Sequence, residues 1–485
     1  MTVGTASRVR WNSLFSLLSQ FIRLGTNMIM FIGIARFYGV EEFGQFTTAH
    51  TYTSLFFIFA DFGFDLMLTT EIARNRENAS VILQQYLPFK LLFSLSALIL
   101  LISLAFFSNH STETKVLIYI FSLGIVGNAF SNYFFSFMRG LEELQHEAKI
   151  SFFQNSVLLM LLFILGVFNV KVVYFAFAFV LSRFLGFWMM LRIIKKILNN
   201  FSLKFTFFGW RRILKCSLPY GIHLIFGVLF FQIDTILLSW WSGDRAVGIY
   251  QSVFKLIALT LIIHDVLISA LLPTLTRYFS EESEKWKVYG KFLIKILIYI
   301  SLPISLLFFT YPEQIIQLLY GENNYNEAII LLKIFSFVVF IRFFVETYAL
   351  ILTTTQQQFK RMKIVVFATI INILMNIYTI PKFGVQGAAI ASLITNMVTG
   401  VLYIWTVNSS TLKFYHSLDY RMISSIFITG IFALLLTQLF PQSVLYGGLF
   451  ILLFYTIYYY FIGLTLNERS LVFKITESKK IELIK

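Results

Sequence analysis

The chain is written in long apolar runs separated by brief polar gaps. Apolar runs fall near 12–35, 46–69, 86–107, 115–138, 150–168, 172–191, 213–241, 247–272, 291–311, 327–352, 364–381, 385–407, 422–440 and 444–466. At a rise of about 1.5 Å per residue, most of these runs can cross a hydrocarbon layer ~30 Å thick. The pattern predicts an all-α integral membrane protein with about 14 transmembrane helices. The first run continues to about Ala35, the length of a retained helix rather than a cleaved leader.

Two of the polar gaps repeat one another. Gly39, Gly44 and Phe46 in the first gap align with Gly243, Gly248 and Tyr250 in the second, at a constant offset of 204. The same offset carries Asp61 onto Asp265, and 203 carries Arg74 onto Arg277. A fixed offset over so many positions indicates an internal repeat. Six runs separate the two copies, so the halves are expected to be parallel six-helix bundles, related by a pseudo-twofold along the membrane normal. The expected division is 1–207 for the first bundle with its basic linker, 208–410 for the second, and 411–485 for two additional helices and a basic tail.

Charge then orients the chain. With the N-terminus inside, the inner segments carry 27 Lys and Arg and the outer loops 5, namely Arg36, Lys115, Lys171, Arg245 and Lys382. That bias places both termini in the cytoplasm. The net charge of +15 is accounted for by loops lying beside anionic lipid, so no nucleic-acid partner is invoked. The inner linker around Phe201–Trp210 mixes basic and aromatic residues, as interfacial segments do. Only 13% of the residues are charged, about half of the roughly 25% usual in soluble domains.

Chemical motifs are sparse. Gly39-x4-Gly44 and Gly243-x4-Gly248 open like phosphate loops, but Gln45 and Ile249 stand where Lys-Ser/Thr would follow. The six histidines are scattered and Cys216 is the single cysteine, so neither a metal site nor a catalytic residue is expected. The outer loops are too short to hold a folded catalytic domain, which argues against a polymerase or ligase.

The informative residues are charges inside the apolar runs. Ser16, Gln20, Arg23 and Asn27 are spaced four, three and four, one polar face of a helix. Arg23 falls roughly 16 Å along its span. An arginine at mid-membrane costs about 2.5–3.5 kcal/mol on insertion scales, so this face must look into protein or water. Arg183 lies midway through span six, Lys255 some nine residues into span eight, and Arg342 midway through span ten, four residues before Glu346. Fork-shaped guanidinium donors suit a phosphate or diphosphate. Arg23, Arg183, Lys255 and Arg342, with Gln20 and Asn27, are therefore the expected substrate-binding set. Asp61, Asp234, Asp265 and Glu346 are expected to balance charge or gate, with Asp65 a further acid beside Asp61. The offset of 204 places Asp234 at position 30 of span one, on the continuation of the Arg23 face. Lys90 and Lys295 lie near span ends, where snorkelling explains a lysine.

With these residues in view, the chain resembles the polysaccharide transporter family, the Wzx-type oligosaccharide flippases of the MOP superfamily. The resemblance rests on Tyr38-Gly39-Val40-Glu41-Glu42-Phe43-Gly44-Gln45-Phe46, on Leu272-Pro273-Thr274-Leu275-Thr276-Arg277, and on residues Pro381 to Ala391, and spans roughly 8–410. It implies a V-shaped, MATE-like pair of six-helix bundles in the bacterial cytoplasmic membrane. It further implies flipping of an undecaprenyl-diphosphate-linked oligosaccharide to the outer leaflet by alternating access, for O-antigen or capsule-type polymers. Glycosyltransferases, a polymerase and membrane lipid would be its partners. Arg23 also resembles the first-helix arginine of lipid-linked peptidoglycan-precursor flippases. No cofactor is expected, and whether H+ or Na+ drives the cycle stays open. A multidrug or cation antiporter of the same superfamily is the alternative.

Overall fold

The structure, a computed structural model, describes residues 5–168, 170–198, 210–281, 283–321, 324–409, 420–439 and 444–463. The basic linker centre at Phe201–Gly209 and the basic tail beyond residue 463 lie outside the described residues, as does the side chain of Ser16.

The apolar runs become helices in order: α1 (Thr5–Asp61), α2 (Phe64–Arg74), α3 (Ala79–Phe107), α4 (Thr112–Gly140), α5 (Leu144–Val167), α6 (Val172–Ile197), α7 (Trp210–Trp241), α8 (Gly243–Glu281), α9 (Ser283–Thr310), α10 (Pro312–Tyr320), α11 (Asn326–Thr354), α12 (Gln358–Ser409), α13 (Tyr420–Leu439) and α14 (Val444–Tyr458). Helices α1 and α12 are each bent at a glycine, Gly39 and Gly384. Each expected span falls on one helix or one limb of a bent helix. Span two is the exception in continuity: the helix stops at Asp61, and Phe62 (φ 47°) and Gly63 (φ 80°) break it before α2. Among the described residues, nine helices are long and apolar enough to cross a membrane.

The repeat is visible element by element. Gly39 (φ 84°) and Gly243 (φ 79°) both adopt the left-handed conformation that glycine accepts without a Cβ clash. The offset of 204 also carries α3 onto α9. The short helix α10 then intervenes, and from there the offset is 214: α4 maps onto α11, residue for residue, and α5 onto the first limb of α12. The turn after α4 repeats in detail. Glu142 (φ 63°) and Gln356 (φ 59°) are both left-handed. The amide of Glu143 donates to the Met138 carbonyl at 2.9 Å, and that of Gln357 to Leu352 at 2.8 Å. An inserted helix shifts the register, so the second half of the duplication is hidden from a search at one fixed offset.

The described chain packs as two compact units, Met1–Lys255 with Asn372–Ala388, and Leu256–Ile371 with Ala389–Lys485. In the first, Phe64, Leu68, Ile72, Leu83, Tyr86, Tyr133, Phe137 and Met190 form a continuous core. The two glycine gaps also meet there. A Cβ on Gly44 would run into the Asp244 carbonyl, and one on Gly248 into the Val40 carbonyl. These are equivalent contacts, since 40 and 244, like 44 and 248, differ by 204. Asp244 further accepts hydrogen bonds from Ser111 Oγ (3.0 Å) and Thr114 Oγ1 (2.8 Å) at the start of α4. In the second unit, α9 is faced by the C-terminal helices through tyrosines. Tyr299 stacks on Tyr455 at 5.4 Å, and Tyr311 donates to the Leu436 carbonyl at 3.2 Å.

Candidate functional site

The first unit collects three of the four expected cations. Arg183, seven per cent exposed, lays its guanidinium 4.6 Å from the centroid of the Phe179 ring, one turn earlier on α6. Lys255 of α8 places its Nζ 4.0 Å from the Phe31 ring of α1. Both rings meet the edge of His50: Phe31 at 5.2 Å and Phe179 at 5.7 Å, with Phe121 of α4 closing a third side at 5.9 Å. Arg23 lies within electrostatic reach of Arg183, as do Arg183 and Lys255 of His50. Arg183 and Lys255 thus lie on an aromatic floor that includes His50, with Arg23 in electrostatic reach of Arg183. Among the described residues no carboxylate forms an ion pair with Arg183 or Lys255. A cation over a ring face gains about 0.5–2 kcal/mol, far less than a buried guanidinium loses in hydration. The arrangement therefore retains capacity for an anion.

Arg23 has acidic company one layer away. Its electrostatic neighbours are Glu147 of α5 and Arg139 of α4, which pair with each other at 2.7 Å. On the same α1 face Gln20 is exposed, and the buried Oδ1 of Asn27 has no hydrogen-bond partner.

Asp234 is two per cent exposed. One oxygen accepts from Tyr250 Oη at 2.7 Å, the other from Asn376 Nδ2 at 2.6 Å, and Asn376 is itself tied to Asn372. Asp61 pairs with Lys90 at 2.7 Å, as does Asp65 at 2.8 Å. Lys90 does not snorkel, therefore: it is fully buried between two carboxylates, and Lys295 is buried as well. Polar partners on neighbouring helices, invisible in a linear reading, hold Lys90 inside. Its repeat mate position is Ile294, so the triad belongs to one half only.

The remaining expected residues belong to the second unit. Arg342 bonds Glu346 within α11 at 3.3 Å, and Arg361 approaches the same carboxylate at 3.7 Å while donating to Thr353 at 3.0 Å. Arg342 thus has an acid at hand, unlike Arg183 and Lys255. Asp265 keeps a side chain 74% exposed beside His264. In the sequence His50 is one of six scattered histidines given no role, and neither Phe31 nor Phe179 stands out. The four-residue spacing of Phe179 and Arg183 is a readable signal for the last; the approach of Lys255 to Phe31 has none.

Outside the membrane-spanning helices, His110 joins α3 to α4. Its Nε2 lies 3.2 Å from Tyr52 Oη. Burial pushes its pKa below the ordinary histidine value, Asp244 pulls the other way, and Lys115 adds to the lowering.

Bent, glycine-crossed membrane helices with buried cations make this an all-α integral membrane fold of MATE-like architecture. Residues 9–279 match the model of the family described as "Polysaccharide biosynthesis protein", and the chain belongs to that family. Residues 219–378 also match the MatE model. A curated relative, an uncharacterized membrane protein of Methanocaldococcus jannaschii, is 28% identical over 284 residues, 54% of each chain, so this chain spans about half the length of the curated relative it matches. Among solved structures, the lipid II flippase MurJ in an inward closed conformation is similar at a TM-score of 0.73 and 16% identity, covering 92% of this chain and 98% of that one. An inward-facing MATE-family multidrug resistance transporter is similar at 0.67 and 18% identity, covering 84% of this chain and 100% of that one. A MOP-superfamily transporter from Pyrococcus furiosus, described as having a binding pocket of reverse polarity, is similar at 0.60 and 18% identity, covering 84% and 96%. These likenesses carry the fold.

Proposed function

We propose that the protein is a flippase that moves a polyprenyl-diphosphate-linked oligosaccharide from the cytoplasmic to the outer leaflet by alternating access, with no covalent chemistry. The observation that carries this reading is the cluster of Arg23, Arg183 and Lys255 in membrane-spanning helices, where Arg183 and Lys255 have aromatic faces but no carboxylate. A diphosphate supplies the missing anion, and two guanidinia can grip it by paired donors. Membership of a polysaccharide biosynthesis family agrees with a sugar-bearing lipid, and the lipid II flippase is a precedent for that cargo on this fold.

The test is translocation of a fluorescent polyprenyl-diphosphate sugar in vesicles containing the purified chain. Arg183→Ala is expected to lower the rate at least roughly tenfold, the equivalent of one charged hydrogen bond worth ~1.5–3 kcal/mol. Unchanged translocation in both Arg23→Ala and Arg183→Ala would remove the cluster from the mechanism.

The MatE match favours a second reading, multidrug or cation antiport. A cationic substrate would have to enter a cluster of like charge, which costs affinity. Efflux of a cationic dye that depends on Asp234 and survives Arg183→Ala would establish antiport in place of flipping.

A further inference from the structure

The first unit contains a second charged assembly whose arithmetic does not balance. Lys90 Nζ lies 2.7 Å from Asp61 and 2.8 Å from Asp65. Among the described residues no other cation pairs with either carboxylate. Two acids therefore share one ammonium. The lysine side chain is sealed from solvent, whereas Asp61 and Asp65 keep 10% and 16% of their side-chain surface. The two carboxyl groups are therefore neighbours on one ammonium. Two negative charges at one ammonium disfavour each other, and a single proton relieves them.

Helices α3, α4 and α7 pack against α1 and α2 around the triad. Helix α3 contributes Lys90 and Tyr86. Helix α4 contributes Tyr133, whose ring centre is 6.0 Å from the ammonium, and Arg139, which acts on Asp65 from a distance. Arg139 is already neutralised by Glu147 of α5. Helix α7 brings Ser217, Tyr220 and Gly221, of which Tyr220 alone is titratable. Nothing in this set supplies the second positive charge.

The acids are not equivalent. Asp61 also accepts the backbone N–H of Asp65 at 3.2 Å, a bond that favours its charged form. Among the described residues Asp65 has the ammonium alone. Between them runs the break at Phe62 and Gly63, and that break packs directly on α7. A Cβ on Gly63 would meet Tyr220, and one on Gly221 would meet Phe62. In the other half the equivalent stretch of α8 is unbroken, with Leu267 and Ser269 in place of Gly63 and Asp65.

We propose that Asp61, Lys90 and Asp65 form a binding site for one exchangeable proton, carried by Asp65, that clamps the break between α1 and α2. With the proton bound, the cluster is neutral and the two acids bridge the break. Without it the cluster carries one net negative charge, and the carboxylates repel across the hinge. Ionisable groups inside a membrane bundle serve such relays. Any part the site plays in moving cargo rests on the transporter reading above; the proton site itself does not.

The experiment is infrared difference spectroscopy on the purified full chain, carrying carboxyl-labelled aspartate, stepped between mildly acid and alkaline buffer. The wild type is expected to show a protonated aspartate carbonyl band that shifts in heavy water and disappears at the alkaline step. Asp65→Asn should lose that band, and so should Asp61→Asn, which leaves one acid to one lysine. Lys90→Met should strengthen it. A wild type with no such band, or a band untouched by Asp65→Asn, would overturn the proposal. If the asparagine variants do not elute as folded protein, Asp65→Glu should remove the band from the aspartate label. Persistence of the band in that variant counts equally against the site. A protein that moves no lipid but keeps the band sinks the flippase reading and leaves the proton site standing.

Discussion

At the scale of single residues, the molecule distinguishes cations that are satisfied from cations that are not. Arg139 and Lys90 have carboxylates at 2.7 Å. Lys90→Met leaves two buried acids uncompensated and is expected to cost about 3–5 kcal/mol, read as a lowered thermal midpoint in detergent. Arg183→Lys should lower translocation by less than Arg183→Ala but not restore it, because an ammonium lacks the planar fork that matches a diphosphate. His110 gives a pH dependence. Its folded-state pKa lies below the unfolded value, so the unfolded chain binds the proton first and stability rises with pH. Thermal stability should therefore fall as pH drops through the ordinary histidine range, and His110→Gln should flatten that fall. How much of this was legible depends on whether partners share a helix. Arg23, Arg183 and Lys255 announce themselves as charges in apolar runs. The approach of Arg183 and Lys255 to His50 needs α1, α4, α6 and α8 at once, and no linear spacing encodes that. Lys90 misleads for the same reason, since Asp61 and Asp65 reach it across helices.

At the scale of elements, the paired glycine gaps decide how closely two helices approach. The contact of Gly44 with the Asp244 carbonyl, and of Gly248 with Val40, leaves no space for a methyl group. Backbone cannot rotate aside as a flexible side chain can. Gly44→Ala and Gly248→Ala are each expected to destabilise by about 1–3 kcal/mol, visible as reduced yield of monodisperse protein, with the double variant no worse than additive unless the crossing opens altogether. The spacing of these glycines is plain in the sequence, and so is the offset of 204. The break at Phe62 and Gly63 is not. A non-glycine residue in the left-handed region carries no strong compositional signal, and the apolar run continues straight through it.

At the scale of the whole molecule, the repeat continues past α10 at an offset of 214, and the C-terminal pair α13 and α14 lies outside it. That pair covers the tyrosine face of α9, where Tyr459 donates to the Lys295 carbonyl at 2.8 Å. Truncation before α13 is expected to leave that face bare and to lower recovery of the protein from the membrane, measured at matched expression. The bias of 27 inner against 5 outer basic residues predicts the orientation. Reporter fusions to either terminus should be active only where the cytoplasm is required. The hydropathy pattern delivers the class of fold almost entirely, because a bilayer forces every backbone polar group into helices. It says nothing of how the chain divides in space, since the packed units are not consecutive stretches of sequence.

The reciprocal glycine crossing bears on where such a chain came from. Under the 204 shift, each partner in the contact is exchanged for the other, which is the condition for an isologous interface between two identical subunits. A half-length protein carrying one copy of the glycine gap could close this crossing by pairing with a second copy of itself. Covalent fusion then frees each half to drift. Asp244, the repeat equivalent of a plain Val40, accepts bonds from Ser111 and Thr114, and the Asp61–Lys90–Asp65 triad is not repeated in the sequence of the other half. The crossing has the symmetry of a seam between two equal halves, and the departures from it mark what a single fused chain can assign to one side.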